Sequence, residues 1–207
     1  MAYSGFRYET LKRTLGIDVR SSSPLFTAAA PRVPVPVLLT ETLKDGVPLA
    51  LRSRSEKARS EWIIAPVLLA AWKQTAATTT LLSGATMDVD PSRGLDGVVD
   101  FVVVGDPLAQ DARAPIVTVI EAKRQDLEQG LAQCAAAMLA AYLLNTAAMR
   151  PLTVPIYGVV TTGAVWSFYQ MATPDTVVSG ALEIGIGDLD DIFAILVAMM
   201  SGRLHHP

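Results

Sequence analysis

Histidine and cysteine are scarce in this chain, and each scarcity removes a class of function. Of 207 residues, two are histidine (His205 and His206) and one is cysteine (Cys134). A His-based catalytic triad and a structural zinc site both need more than this. A lone cysteine forbids an internal disulfide framework. Cys134 lies in an alanine-rich apolar stretch and reads as a small core residue. The adjacent histidines at the end of the chain read as a tail or an expression scar. Excess positive charge is also missing: the formal net charge is −3. Tight grip on bare duplex rests on many phosphate contacts, so a nucleic-acid role here needs a local basic patch, a partner subunit or a metal. Long apolar runs are absent as well. WIIAPVLLAAW and CAAAMLAAYLL are each too short to span a bilayer, and MAYSGFRYETLKR has no apolar signal core. A soluble cytoplasmic protein with no membrane partner is expected. There is no G-x-S-x-G, P-loop or G-x-G-x-x-G, which weakens an unrelated α/β hydrolase or nucleotide site. The Gly-Ile-Gly in GALEIGIGD lacks the strand–helix setting such a site requires.

What is present is apolar residue: 51% of the chain, enough for one globular domain with a sizeable core. Residues Phe6–Leu15 suggest a short helix stopped by Gly16. Pro31, Pro34 and Pro36 make residues 21–36 extended, and VPVLL suggests a short edge strand. Residues 1–52 thus read as an N-terminal arm with edge elements, and 53–207 as the main body of a single globular unit. A strong helix is expected over Glu56–Lys73, capped by Ser53 or Ser55 and kinked at Pro66. Thr78–Asp90 is β-rich, with turn chemistry at its end. Strands follow at Gly97–Val104 and Ile116–Ala122, then a long helix over Gln125–Met149. Ile156–Thr161 and Val165–Met171 read as a hairpin around Thr162-Gly163. Leu182–Ile186 suggests another strand. A last helix starts at Asp188 or Asp190 and ends near Gly202. The whole is a mixed sheet with helices on its faces, an α/β class.

The stretch IVTVIEAKR carries the chemistry. Side chains alternate along a strand, so Glu121 and Lys123 share a face with Val119. On the preceding strand Asp96, Val98 and Asp100 share one face. If the two strands pair, Asp100 and Glu121 lie close. Paired carboxylates repel unless a cation sits between them. Mg²⁺ suits this, being held by one or two carboxylates plus substrate phosphate. It activates water and stabilises charge developing on phosphate. Lys123 can position the water and neutralise charge, and the Ala122 carbonyl can add a ligand. The plain alternative is that Lys123 merely pairs with Glu121 or Asp100 at a strand end. A third acid is expected from the helix before the sheet, with Glu56 the first choice and Glu61 the second. Each has a structural alternative: Ser53-x-x-Glu56 fits a capping box, and Glu61 fits a solvated pair with Lys57.

Together these pieces resemble the PD-(D/E)XK nuclease superfamily. That family's pattern is a helix Glu, a strand Asp, then (D/E)-x-K on the next strand, often with a Gln on the following helix. The matching residues are Glu56, Asp100, Glu121, Lys123 and Gln133. SEKARSEWIIAPVL is similar to the opening helix of nuclease domains in type I restriction subunits. There a Glu stands about ten positions before a Pro, as Glu56 does before Pro66, which favours it over Glu61. LDGVVDFVVV and VTVIEAKR are similar to the two central strands, and EQGLAQCAAAMLAA to the Gln helix. The resemblance spans roughly Ser53 to Tyr169. It departs from the pattern at Val99, where the name motif has Pro, and in the acidic overall charge. The resemblance implies a restriction-endonuclease-like αβββαβ core, a central mixed sheet flanked by helices. It also implies hydrolysis of nucleic acid, DNA favoured, with Mg²⁺ or Mn²⁺ held by Asp100, Glu121, Ala122 and Glu56.

Arg52, Arg54, Lys57 and Arg59 cluster beside Glu56, where they either engage phosphates or form a solvated helix start. Arg124 faces away from Lys123. Tyr157, Trp166, Phe168 and Tyr169 can stack on bases, but core packing is the stronger reading. Asp88 and Asp90 read as turn residues, and Asp188, Asp190 and Asp191 as acids at a helix start. A second functional class stays open: a catalytically silent binding module. DIFAILVAMM suggests packing on a second copy, or else an ordinary core-covering helix.

Overall fold

The computed structural model describes residues 3–22, 32–53, 55–123, 127–149, 154–180 and 183–202. Arg54, Arg124, Leu182, His205 and His206 lie outside the described residues. A short 3₁₀ turn at Tyr3–Gly5 leads into α1 (Tyr8–Leu15), which ends at Gly16 as expected. Then follow β1 (Asp18–Ser22), α2 (Val37–Ser53) and α3 (Glu56–Arg59). A π turn (Ser60–Ile64) joins α3 to α4 (Ala65–Trp72). Next come β2 (Thr80–Thr86), β3 (Val98–Val104), β4 (Ile116–Ala122) and α5 (Leu127–Ala147). The chain continues through β5 (Ile156–Thr161), β6 (Val165–Thr173), β7 (Thr176–Gly180), β8 (Ile184–Gly185) and α6 (Leu189–Met200).

The eight strands form one mixed sheet in the order β1-β7-β6-β5-β4-β3-β2, with β8 also paired to β6. β2, β3 and β4 run as an antiparallel meander. The chain then crosses over through α5, and β5 lies parallel to β4. Such a crossover is how a parallel pair is made. Both strands of that pair are buried along nearly their whole length, as a sheet covered on both faces requires. One face packs against α1 and α5, with Leu11, Val119, Ala135 and Val160 in its core. The other packs against α2, α4 and α6, with Leu39, Leu68, Ile120 and Phe193. α5 is 21 residues long and apolar enough, by length and composition, to cross a membrane. It is mostly buried here, as a core helix of a soluble domain also is.

Two expectations fail. VPVLL is not an edge strand, because Val37 begins α2. Leu39, Leu43, Gly46 and Ala50 recur at helical spacing and form its buried stripe. α6 is not an open dimer face either: every residue from Ile192 to Met200 is buried within the same chain. Two strands were also unforeseen, β1 and β7, which pair parallel to each other.

The Glu56–Lys73 helix forms as one run, but the π turn replaces the simple kink expected at Pro66. Pro66 has no N–H to give the Trp62 carbonyl four residues earlier. The preceding turn widens, with the Ala65 N–H reaching back to Ser60. The Trp62 carbonyl abuts Gly46 of α2, where a Cβ would collide with it. Gly46→Ala is therefore expected to destabilise the fold by about 1–3 kcal/mol, although alanine is the better helix former. Urea unfolding checks this, and a stabilised variant would mean that α2 yields easily.

Asn145 fastens α5 to the sheet. Its side-chain oxygen accepts from the Ile116 N–H at 2.8 Å, and its amide donates to the Ile116 carbonyl at 2.7 Å. Asn145→Ala would leave both buried groups unpaired and is expected to cost about 2–4 kcal/mol in the same assay.

Candidate functional site

β3 and β4 bring the two carboxylates together. Phe101 pairs with Ile120 in the antiparallel register, so the next step sets Asp100 opposite Glu121. The regular alternation of β3 breaks at this point. Val99 packs in the same core as Val102 and Val104, where unbroken alternation would place it with Phe101 and Val103. On the neighbouring strand, Gly84 takes φ +63°. That left-handed conformation is cheap only for glycine and lets the hairpin change face beside Asp100. Asp96 lies before β3, so the expected alternation over Asp96, Val98 and Asp100 has only Val98 and Asp100 on the strand.

Asp100 Oδ2 accepts the Ala122 N–H at 2.8 Å, which ties the carboxylate across to β4. Glu121 is 4% exposed. Its Oε2 lies 3.3 Å from Lys123 Nζ, whose side chain is 16% exposed. The Lys123 N–H donates to the Thr161 carbonyl at 2.8 Å, so the backbone here is fixed by β5. Burial pushes the Glu121 carboxyl up to about 8; the Asp100 charge adds to this, and Lys123 partly offsets it. The Asp100 carboxyl lies close enough to Glu121 to compete for the same proton. With Glu121 raised this far, the carboxyl pair keeps one proton near neutral pH.

Glu56 is the first residue of α3. It lines a cleft of about 300 Å³ together with Ser60, Glu61, Ser83, Asp100 and Ala122. The capping-box alternative for Glu56 does not hold. Ser55, not Ser53, is the cap, accepting from the Ala58 N–H at 3.3 Å. Glu61 lines the same cleft but pairs with Lys57 at 2.8 Å, as its structural alternative had it. That pairing raises the Lys57 ammonium above its ordinary value.

The acids are divided by the sheet. Glu121 follows Val119 on the α5 face, and its charge acts on the buried thiol of Cys134. Glu56 stands on the opposite, α4 side, where Ala122 faces. Asp100 reaches both, lining the Glu56 cleft and acting on Glu121. Among the described residues no three His, Cys, Asp or Glu side chains converge into a metal-sized group. The expected set of Asp100, Glu121 and Glu56 is therefore not gathered at one point. Gln133 is buried on α5, and its Oε1 has no partner among the described residues.

Other expectations resolve simply. Arg59 donates to the Thr162 carbonyl at 2.9 Å and Lys57 is held by Glu61, so two members of the basic cluster are engaged internally. Tyr157, Trp166, Phe168 and Tyr169 are all core residues. Asp90 caps the turn at Pro91–Arg93, and Asp88 accepts from the Gly97 N–H. Cys134 is buried, and desolvation raises its thiol well above the ordinary value, which fits an inert core residue.

Sequence reasoning missed Tyr3. Its hydroxyl donates to the Met87 carbonyl at 2.6 Å, and Asp88, Asp96 and Glu121 lie near enough to raise its phenol, after burial itself. Nothing in MAYSGF signals this, because the contact spans 84 positions of chain. No family model, curated protein or solved structure matches this chain.

Proposed function

We propose that this protein hydrolyses phosphodiester bonds of nucleic acid, DNA favoured, with Mg²⁺ or Mn²⁺ at Asp100 and Glu121. The observation that carries the reading is the trio of Asp100, Glu121 and Lys123 on paired strands, with Lys123 against Glu121. The chain order supports it. A helix, a three-strand antiparallel meander, a crossover helix and a strand parallel to the meander's last strand form the αβββαβ order of the PD-(D/E)XK resemblance.

The donor set fits a hard divalent cation. Two carboxyl groups lie side by side, and burial and the neighbouring charge make one of them hold its proton. A divalent cation inverts that penalty. Two carboxylates plus substrate phosphate suffice for Mg²⁺, so the lack of a third clustered acid is no obstacle. Asp100 and Glu121 would hold the ion, with the Ala122 carbonyl beside them. When bound, the ion would supply an activated water and stabilise charge on the phosphate. Lys123 is placed to orient that water and to neutralise a phosphate oxygen. Glu56, across the cleft from Asp100, is placed to accept a proton or position solvent.

Metal binding must displace the Glu121 proton. Below about pH 8, affinity for Mn²⁺ is thus expected to rise about tenfold per pH unit and then level off. Calorimetry in two buffers of different ionisation heat measures the released proton. Asp100→Asn combined with Glu121→Gln is expected to abolish binding. If the wild type binds neither Mg²⁺ nor Mn²⁺, even with a substrate phosphate present, the silent binding-module reading takes over.

A further inference from the structure

A second hollow adjoins the carboxylate cleft. It encloses about 570 Å³ between α2, α4 and strands β2 and β3. That is within the roughly 300–1,000 Å³ typical of organic ligand sites. Pro36, Leu39, Pro66, Leu69 and Phe101 supply apolar walls, and Lys73 and Gln74 stand among its polar lining. Glu61 and Ser83 line both hollows, so the two are neighbours.

We infer that this hollow is a nucleobase site, and that the protein takes nucleic acid whose bases are unstacked, single strands or frayed ends, rather than intact duplex. The inference rests on the phosphodiester reading of the adjoining cleft. A phosphate at Asp100 puts the neighbouring nucleotide beside Ser83 and Glu61, at the mouth of the apolar hollow. A base held within a duplex stack cannot enter it, and an unstacked base can. Flat apolar walls of proline, leucine and phenylalanine accept a π-face regardless of sequence. Gln74 offers an amide to a base edge, and Lys73 a charge to a flanking phosphate. The charge pattern points the same way. Net charge is −3, Lys57 is tied to Glu61 and Arg59 to a backbone carbonyl, so phosphate contacts alone are a weak grip. Burial of bases must supply the rest.

The test is fluorescence anisotropy with labelled twelve-nucleotide probes, with Ca²⁺ replacing Mg²⁺ to slow cutting. A single strand, an abasic single strand with the same phosphates and a blunt duplex are compared. The base-bearing single strand is expected to bind at least about tenfold tighter than the other two. Ala70→Trp, which fills the hollow, is expected to erase that preference. Leu69→Gln, at a half-exposed wall position that tolerates change, is expected to reduce it. Equal binding of the three probes, or an intact preference in both variants, overturns the inference. Parallel incubation of wild type with Mg²⁺ separates the two readings. Base-dependent binding without cleavage overturns the hydrolase and leaves the base site standing. Cleavage without base dependence does the reverse.

Discussion

Lys123→Ala is expected to reduce phosphodiester cleavage by at least about a thousandfold while leaving the fold in place. The two halves of that expectation have separate causes. The fold survives because Lys123 holds its strand end through its backbone, whose N–H donates to Thr161, and alanine keeps that bond. The side chain, 16% exposed, ends with its ammonium against the Glu121 carboxylate. Activity falls because the Lys123 ammonium, 3.3 Å from the Glu121 carboxylate, opposes the burial penalty there. Without it, the carboxyl rises further and competes worse for a cation. The developing phosphate charge also loses its counter-charge. Circular dichroism and a melting curve establish the fold, and single-turnover cleavage of a labelled oligonucleotide establishes the rate. A folded variant that cuts like wild type would end this mechanism.

Glu121→Gln is expected to stabilise the metal-free protein at alkaline pH and to leave it nearly unchanged at pH 5. The folded-state carboxyl sits at about 8, above its ordinary 4.5. Between those values the folded protein binds more protons than the unfolded chain. Stability therefore falls as pH rises through the window and does not return above it. The full difference is on the order of 3–5 kcal/mol. Glutamine carries no charge to bury, so its stability should be flat across the same range. Urea unfolding at pH 5, 7 and 9 reads both curves. Parallel curves for the two proteins would mean that Glu121 is ionised in the folded state. Added Mn²⁺ is expected to restore the wild type at pH 9 and not the variant, which ties stability to the proposed site.

The core strands were legible because their residues carry the signal locally. VVDFVVV and IVTVIEA are runs of β-branched residues, buried on both faces, and both strands form there. The α5 helix was legible from its length and its stop near residue 150, and α1 from Gly16. α2 was hidden by its prolines, although the Leu39-Leu43-Gly46-Ala50 stripe was in the sequence. Proline before a helix is tolerated, because the first-turn N–H groups have no helical partner anyway. A further proline, Pro48, sits inside the helix itself. β1 was not legible at all: DVRSS has no apolar alternation, and only pairing with β7 makes it a strand.

By itself the sequence determined the chemistry on offer and where it sits on strands. Glu121 and Lys123 two apart, Asp100 on the preceding strand and no surplus of histidine or cysteine follow from residue identity and the two-residue period of a strand. Tertiary structure decided which acids meet. The antiparallel register sets Asp100 against Glu121, and the sheet itself keeps Glu56 on the far side. It also decided the state of Glu121. A carboxyl's affinity for its proton depends on lost solvent and on neighbouring charge, and both come from Asp100 and the surrounding core, over twenty residues away in the chain.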